Sequence, residues 1–338
     1  MSSTGEPMPR LRYEGREVPI DDGETVLDAC ARAGVVIPSS CRSGACQSCL
    51  VRAVSGAVPA AAQIGLGAAK RELGHFLACV CKPSEDLEVE PVGAAADLPA
   101  TIVEIERLAP TVSRVMLRPR EAMSFRAGQF VTLLREDGLA RAYSLASLPG
   151  EELLELHVRR APGGQMSTWL HDQAPVGAEV ILRGPAGECF YVADDPTRPL
   201  VLVGVGTGLA PLWGIVRDAL TQGHEGPVVL LHGGRSAGDL YLRGPLEALA
   251  AAKPRVDLRF SILAGEAEPR VVVGELDALA KSVAAGLPGR ARARAFVCGD
   301  PALVQRLKRA LFLAGLSLRE ILGDAFVQAP APVAASPR

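Results

Sequence analysis

The spacing of four cysteines constrains this chain more than any other feature. Cys41, Cys46 and Cys49 make a C-x4-C-x2-C run, Cys41-Arg42-Ser43-Gly44-Ala45-Cys46-Gln47-Ser48-Cys49, and thirty residues further on comes Cys79, in Phe76-Leu77-Ala78-Cys79-Val80-Cys81. Three thiolates on one tight loop and a fourth from a distant segment can enclose a two-iron, two-sulfide rhomb. The intervening residues suit that task. A loop that wraps a cluster closely and aims backbone N–H groups at its sulfurs needs small side chains, here Ser43, Gly44 and Ala45. The competing reading is a binding module loaded with zinc. Structural zinc usually takes two separated C-x2–4-C pairs, and three cysteines within nine residues match that poorly. Spacing alone leaves Cys79 and Cys81 in competition for the fourth position. A disulfide framework is not expected, because the 338-residue chain opens on a polar segment, Met1–Arg16, without the apolar core of an export signal.

Residues 8–96 resemble a plant-type ferredoxin domain. Val18-Pro-Ile-Asp-Asp-Gly-Glu-Thr-Val-Leu-Asp-Ala-Cys30 looks like its opening strand and first helix, with Thr25 as the N-cap. The resemblance puts the last ligand directly after a Leu-x pair and ahead of a short strand, here Leu87–Val92, which selects Cys79. The implied ligand set is Cys41, Cys46, Cys49 and Cys79. Cys30 and Cys81 are then interior thiols acting as small hydrophobes.

Composition fits a modular, well-packed chain. With 48% hydrophobic residues, 338 residues suffice for two or three domains. Residues 1–97 carry 9 basic and 13 acidic side chains against 27 and 25 in the remainder, which marks the first third as a separate module. A net charge of -2 without a basic patch argues against phosphate-neutralising contact with nucleic acid. Pro199–Val216 holds eighteen uncharged residues, but four glycines and two prolines break it into a strand, a turn and a helix start rather than a membrane span. The expected location is the cytoplasm.

Beyond Pro99 the pattern becomes short strands with Gly/Pro turns: 100–107, 113–118, 129–135, 153–159 and 179–184. That spacing suggests an antiparallel barrel. Arg141-Ala-Tyr-Ser144 ends one strand, and Gly163-Gly-Gln-Met-Ser-Thr-Trp-Leu170 opens a helix. Tyrosine can stack along a flavin edge, arginine can fork onto pyrophosphate, and a glycine-led helix start offers free N–H groups to phosphate. In order and separation these segments resemble the flavin domain of the ferredoxin–NADP reductase family, implying flavin contacts from Arg141, Tyr143, Ser144, His157, Arg159, Gly163, Gly164, Met166 and Ser167.

Leu200–Val203 is an apolar strand, followed by Gly204-Val-Gly-Thr-Gly-Leu-Ala-Pro211 and a helix expected over 212–220. A glycine turn between strand and helix lets backbone approach a pyrophosphate. Leu209 stands where the G-x-G-x-x-G fingerprint has its last glycine, so the segment departs from that pattern and resembles the reductase family's G-x-G-x-G variant with a downstream proline. Gly204, Gly206, Thr207, Gly208 and Pro211 are the implied contacts. Two further strand-loop-helix units follow. Val228–Ser236 brings Arg235 to the position of an adenosine ribose, and Ala295-Phe-Val-Cys-Gly-Asp-Pro301 brings Cys298, Gly299 and Asp300 to a helix start. The resemblance sets Cys298 beside the nicotinamide, and Phe326, in Asp324-Ala-Phe326, against the flavin face. Ser144, Cys298 and Phe326 are thus the expected catalytic residues.

The chain is therefore identified as a ferredoxin–NAD(P) reductase relative in three parts: a β-grasp ferredoxin domain (8–96), an antiparallel β-barrel flavin domain (98–196) and a parallel-sheet, Rossmann-like nucleotide domain (197–327). The Ala/Pro-rich tail 328–338 is expected to be disordered. The resemblance implies a [2Fe-2S] cluster, FAD and NADH, with NADPH as the other donor. It also implies a monomer delivering single electrons to an acceptor protein, the oxygenase component of a mono- or dioxygenase system. A deoxysugar dehydrase partner and a redox sensor without turnover are the alternatives.

Overall fold

The computed structural model describes residues 9–39, 42–44, 47, 49–92 and 97–326. The tail 328–338 and the ligands Cys41 and Cys46 lie outside the described residues. The chain forms two compact units, residues 1–95 and 96–338.

In the first unit, β1 (Leu11–Tyr13) and β2 (Arg16–Val18) form a hairpin. Helix α1 (Val26–Arg32) starts where Thr25 accepts a hydrogen bond from the Asp28 N–H at 3.2 Å, so the expected cap is present. Next come β3 (Leu50–Ser55), the short helix α2 (Ala68–Glu72), β4 (His75–Leu77) and β5 (Leu87–Pro91). The strand order is β2-β1-β5-β3-β4, with β1 and β5 parallel and the other neighbours antiparallel. This is a β-grasp sheet, and α1 buries Val26, Leu27, Ala29 and Cys30 in its core.

The second unit joins two sheets. β6 (Asp97–Ala109), β7 (Val112–Pro119), β8 (Phe130–Leu134), β9 (Ala140–Ser144) and β10 (Leu154–Arg159) lead into helix α3 (Gln165–Asp172) and β11 (Glu179–Ala186). These strands pair antiparallel in the order β10-β7-β6-β11-β8-β9. A bridge between Leu145 and Leu156 joins the two edges, closing the sheet into the expected barrel around Ile102, Leu117, Val131, Leu133 and Leu156.

The second sheet alternates strand and helix: β12 (Leu200–Val205), α4 (Leu209–Thr221), β13 (Val228–Gly234), α5 (Arg243–Ala252), β14 (Val256–Ile262), β15 (Val271–Val273), α6 (Leu276–Ala285), β16 (Arg294–Gly299), α7 (Pro301–Leu313) and β17 (Ile321–Ala325). All six strands are parallel, ordered β15-β14-β13-β12-β16-β17. Buried on both faces, they read as continuous apolar runs: Leu200 and Leu202 join one core, Val201 and Val203 the other. The direction of winding reverses between β12 and β16, which creates the crevice where such sheets bind ligands. Helix α4 begins at Leu209, earlier than the sequence suggests. Pro211 falls within its first turn, where an N–H has no intrahelical partner to lose. No helix among the described residues is long and apolar enough to cross a membrane.

Candidate functional site

A cleft of about 480 Å³ opens in the second unit, a size typical of small-molecule sites. Its walls come from both sheets. Barrel strand β9 supplies Arg141, Tyr143 and Ser144, β10 ends in with His157 and Arg159, and the Ala161–Gly164 turn leads to Met166 and Ser167 on α3. From the parallel sheet come Thr207 and Ala210 after β12, and Asp324, Ala325 and Phe326 at the end of β17. Phe326 and Ser144, far apart in sequence, thus line the same cleft.

The electrostatics suit an elongated ligand with an anionic section. Arg141 and Arg159 line the cleft, and neither forms an ion pair among the described residues. Helix α3 opens at Gly164 without a side-chain cap, so its first N–H groups remain available to an anion. Ser167 is already engaged: its Oγ donates to the Gly164 carbonyl and accepts from the Ala161 N–H, both at 3.1 Å, which shapes the turn. Burial pushes the Tyr143 hydroxyl up, keeping the phenol neutral. These features fit the pyrophosphate and ring system of a flavin dinucleotide.

Ser144 Oγ donates to Asp324 Oδ2 at 3.0 Å. Burial raises the Asp324 carboxyl, and the Ser144 hydrogen bond partly offsets it. In the sequence Asp324 stands only as a neighbour of Phe326. The structure makes it the partner of the expected catalytic serine, a pairing across 180 positions that no local pattern reveals.

In the nucleotide turn, Gly206 has φ +52, and a side chain there would meet open space. Gly208 is different. A Cβ on it would lie 2.1 Å from the Cys298 carbonyl oxygen, so this glycine permits α4 to pack on β16. The backbone at Gly206 therefore faces open space, while at Gly208 it is packed against β16.

Two expected site residues are engaged by the fold itself. Cys298 sits at the switch point, paired in register with Gly204 on one side and Asp324 on the other. Its thiol, however, is fully buried 3.7 Å from Cys189 Sγ and does not line the cleft. The pleat turns it toward the α4 core, where burial pushes it far above the ordinary thiol range. Asp300 caps α7, accepting from the N–H groups of Ala302 and Leu303 at 3.0 and 3.2 Å, so its carboxylate is used by the fold. Arg235 is exposed after β13. Its backbone N–H and the N–H and hydroxyl of Ser236 all donate to Asp239 Oδ2, and its guanidinium has no ion-pair partner among the described residues. Gly204, Pro211 and Gly299 lie around the turn, Gly299 with φ +132.

In the first unit, Cys49 and Cys79 are buried beside paired strands, with the Ala78 N–H donating to the Cys49 carbonyl at 3.1 Å. Between the outer ligands, Arg42, Gly44 and Gln47 all adopt left-handed φ, as a tightly wound loop requires. Burial pushes the Cys30 thiol up to about 11 and Cys81 up to about 12. The donor chemistry of Cys49 and Cys79 suits an iron–sulfur cluster; the other two expected ligands, Cys41 and Cys46, lie outside the described residues.

Comparison with known proteins agrees in all three parts. Residues 11–84 match the 2Fe-2S iron-sulfur cluster binding domain, 99–191 the oxidoreductase FAD-binding domain and 202–309 the oxidoreductase NAD-binding domain. The reductase subunit of an aromatic O-demethylase from an Amycolatopsis species is 37% identical over 332 residues, covering 93% of this chain and 97% of that protein. The ferredoxin–NAD(P)+ reductase component of a Pseudomonas putida naphthalene 1,2-dioxygenase system is 32% identical, covering 94% and 97%. Among solved structures, an Amycolatopsis cytochrome P450 reductase aligns with TM-score 0.65 and 34% identity, over 94% of this chain and 99% of that one.

Proposed function

This chain belongs to the ferredoxin–NAD(P) reductases that carry an N-terminal [2Fe-2S] domain, and from that premise we propose that it feeds electrons from NADH to the oxygenase component of a multicomponent mono- or dioxygenase system. When bound, the nicotinamide supplies a hydride to FAD, and the [2Fe-2S] cluster carries electrons singly toward the acceptor protein. The functional boundaries are taken at 8–96, 98–196 and 197–327. Support for an oxygenase acceptor comes from the relatives, which serve an aromatic O-demethylase and a naphthalene dioxygenase.

The observation that carries the site assignment is the cleft wall shared by two sheets. Arg141, Arg159 and the uncapped start of α3 hold the flavin pyrophosphate. Tyr143 and Phe326 cover the ring system. Ser144, braced by Asp324, presents its hydroxyl at the reacting edge. The Gly206–Thr207 backbone receives the nicotinamide dinucleotide at the start of α4. Cys41, Cys46, Cys49 and Cys79 hold the cluster.

NADH is the preferred donor in this reading. The Asp239 carboxylate is fixed beneath the Arg235–Ser236 loop by three hydrogen bonds. A negative charge there disfavours the 2′-phosphate of NADPH, while the free guanidinium of Arg235 allows some use of it. The protein is taken as a cytoplasmic monomer, which gel filtration and cell fractionation test. The decisive experiment mixes purified protein, NADH and candidate oxygenase components. Hydroxylated product with matching NADH consumption is the expected result. Reduction of ferricyanide without reduction of any oxygenase component overturns the acceptor assignment.

A further inference from the structure

A chain of buried polar side chains crosses from the barrel to the nucleotide turn, and none of the contacts assigned so far explains it. It begins at Glu155 on β10, whose Oε1 accepts from His157 Nε2–H at 2.8 Å. Burial raises the Glu155 carboxyl, but the His157 hydrogen bond and the nearby Arg217 and Arg114 outweigh it, so the group is a carboxylate. On the other side of the same ring, Nδ1 lies 3.1 Å from the Tyr241 hydroxyl, within hydrogen-bond distance. The Tyr241 ring meets His232 on β13 edge to face, centroids 5.5 Å apart. His232 Nε2–H in turn donates to the Gly206 carbonyl at 3.2 Å.

All four side chains are more than nine-tenths buried: Glu155 is 8% exposed, His157 4%, Tyr241 3% and His232 0%. Burial lowers His232 to about 4, so its ring is neutral. A carbonyl only accepts, which puts the ring hydrogen on Nε2 and leaves Nδ1 a buried acceptor without a partner among the described residues. An apolar residue would fill that space at less cost. What the polar chain supplies instead is directional linkage. Next to one end, His157 lines the flavin cleft. The other end is the carbonyl of the glycine with left-handed φ.

We propose that Tyr241 is a positioning residue for hydride transfer, tying the Gly206–Thr207 turn to the flavin wall through His157 and His232. The inference rests on the reading of the cleft as the flavin site and of the turn as the dinucleotide site. Hydride transfer depends steeply on the spacing of donor and acceptor, so loosening the turn slows the chemical step while leaving both pockets formed.

Tyr241→Phe removes only the hydroxyl and keeps the ring against His232. In full-length, FAD-loaded protein mixed anaerobically with NADH, the limiting rate of flavin reduction should fall about tenfold. Flavin content, flavin absorption spectrum and flavin midpoint potential should match the parent. In a His157→Gln background, where the hydroxyl has lost its ring partner, the same substitution should have no further effect. A variant that reduces flavin within twofold of the parent rate overturns the proposal. So does an equal loss in both backgrounds, or a loss of bound flavin, which would make the hydroxyl a cofactor-retention contact. A parent protein whose flavin NADH cannot reduce overturns the underlying reading too, and that outcome is visible before any variant is made.

Discussion

Two glycines two residues apart in the nucleotide turn should fail for opposite reasons when each becomes alanine. Gly208 has φ -58 and ψ -14, a backbone that alanine adopts freely. Its added Cβ, however, would lie 2.1 Å from the Cys298 oxygen and 2.6 Å from that carbonyl carbon. Both are backbone atoms of β16, so α4 must retreat by about 1 Å or more to restore van der Waals contact. Overpacking of this kind costs roughly 1–3 kcal/mol, and an immovable neighbour argues for about 3. In a folding unit of this size, Tm drops by about 2–4 °C per kcal/mol, so Gly208→Ala should melt about 6–12 °C lower. Gly206 has φ +52 and open space beyond it. Gly206→Ala pays only for the left-handed backbone, about 1 kcal/mol, and should melt about 2–4 °C lower. Its methyl group projects where the pyrophosphate would approach, so KM for NADH should rise about tenfold, equivalent to about 1.4 kcal/mol. Thermal unfolding followed by circular dichroism gives the first pair of values, and NADH-dependent ferricyanide reduction the second. The reasoning is refuted if Gly208→Ala melts with the parent, or if Gly206→Ala is the less stable variant and retains the parent KM.

Three further expectations concern charge and ligation. Cys46→Ser removes a thiolate from the cluster and should abolish the iron–sulfur absorption while sparing NADH-to-ferricyanide activity; a full cluster in the variant refutes the ligand set. Arg235→Ala should lower kcat/KM for NADPH about tenfold and for NADH less than threefold, and equal losses would show that the guanidinium does not meet a 2′-phosphate. Asp324 has a carboxyl raised by burial, so the folded state holds its proton more tightly than the unfolded chain does. Its ionisation therefore costs stability as pH rises through the raised value, and none of that cost remains below the ordinary value of about 4. Asp324→Asn should melt above the parent at pH 7, with the difference closing toward pH 4; a constant difference across that range refutes the assignment.

Much of the architecture is legible because its signals are local. The C-x4-C-x2-C loop, the short alternating strands 100–184 and the apolar strand with its glycine turn each lie within a few residues. The Arg141–Ser144 and Gly163–Ser167 segments line one cleft because each ends or begins an element at the same rim of the barrel. Cys298 shows where local signals stop. Arg294–Gly299 is buried along its whole length, so an apolar pattern on both faces gives no parity from which to tell cleft from core. The pleat turns the thiol toward Cys189, 109 positions away. Asp300 also fits a second pattern legible in the sequence, since an aspartate directly before a proline at a helix start is a capping pair in its own right.

The polar chain behind the cleft is the harder case, since its members pair across the boundary between sheets. His157 and Tyr241 are 84 positions apart, and His232 reaches Gly206 across 26. Tyr241 reads in sequence as the start of a helix near the adenosine loop, yet it precedes α5 and is buried with its hydroxyl on the barrel. One signal was available: His232 is the single titratable side chain in Val228–Gly234, a strand otherwise made of valine, leucine and glycine. A polar ring at the centre of a doubly buried strand must find a partner or lose stability. Here it finds the carbonyl of the turn that opens the nucleotide crevice. Buried polar residues in otherwise apolar strands are therefore where a sequence reading of such a chain should look for couplings between sites. Local motifs identify the walls of each pocket, and side chains of this kind hold one pocket in register with the next.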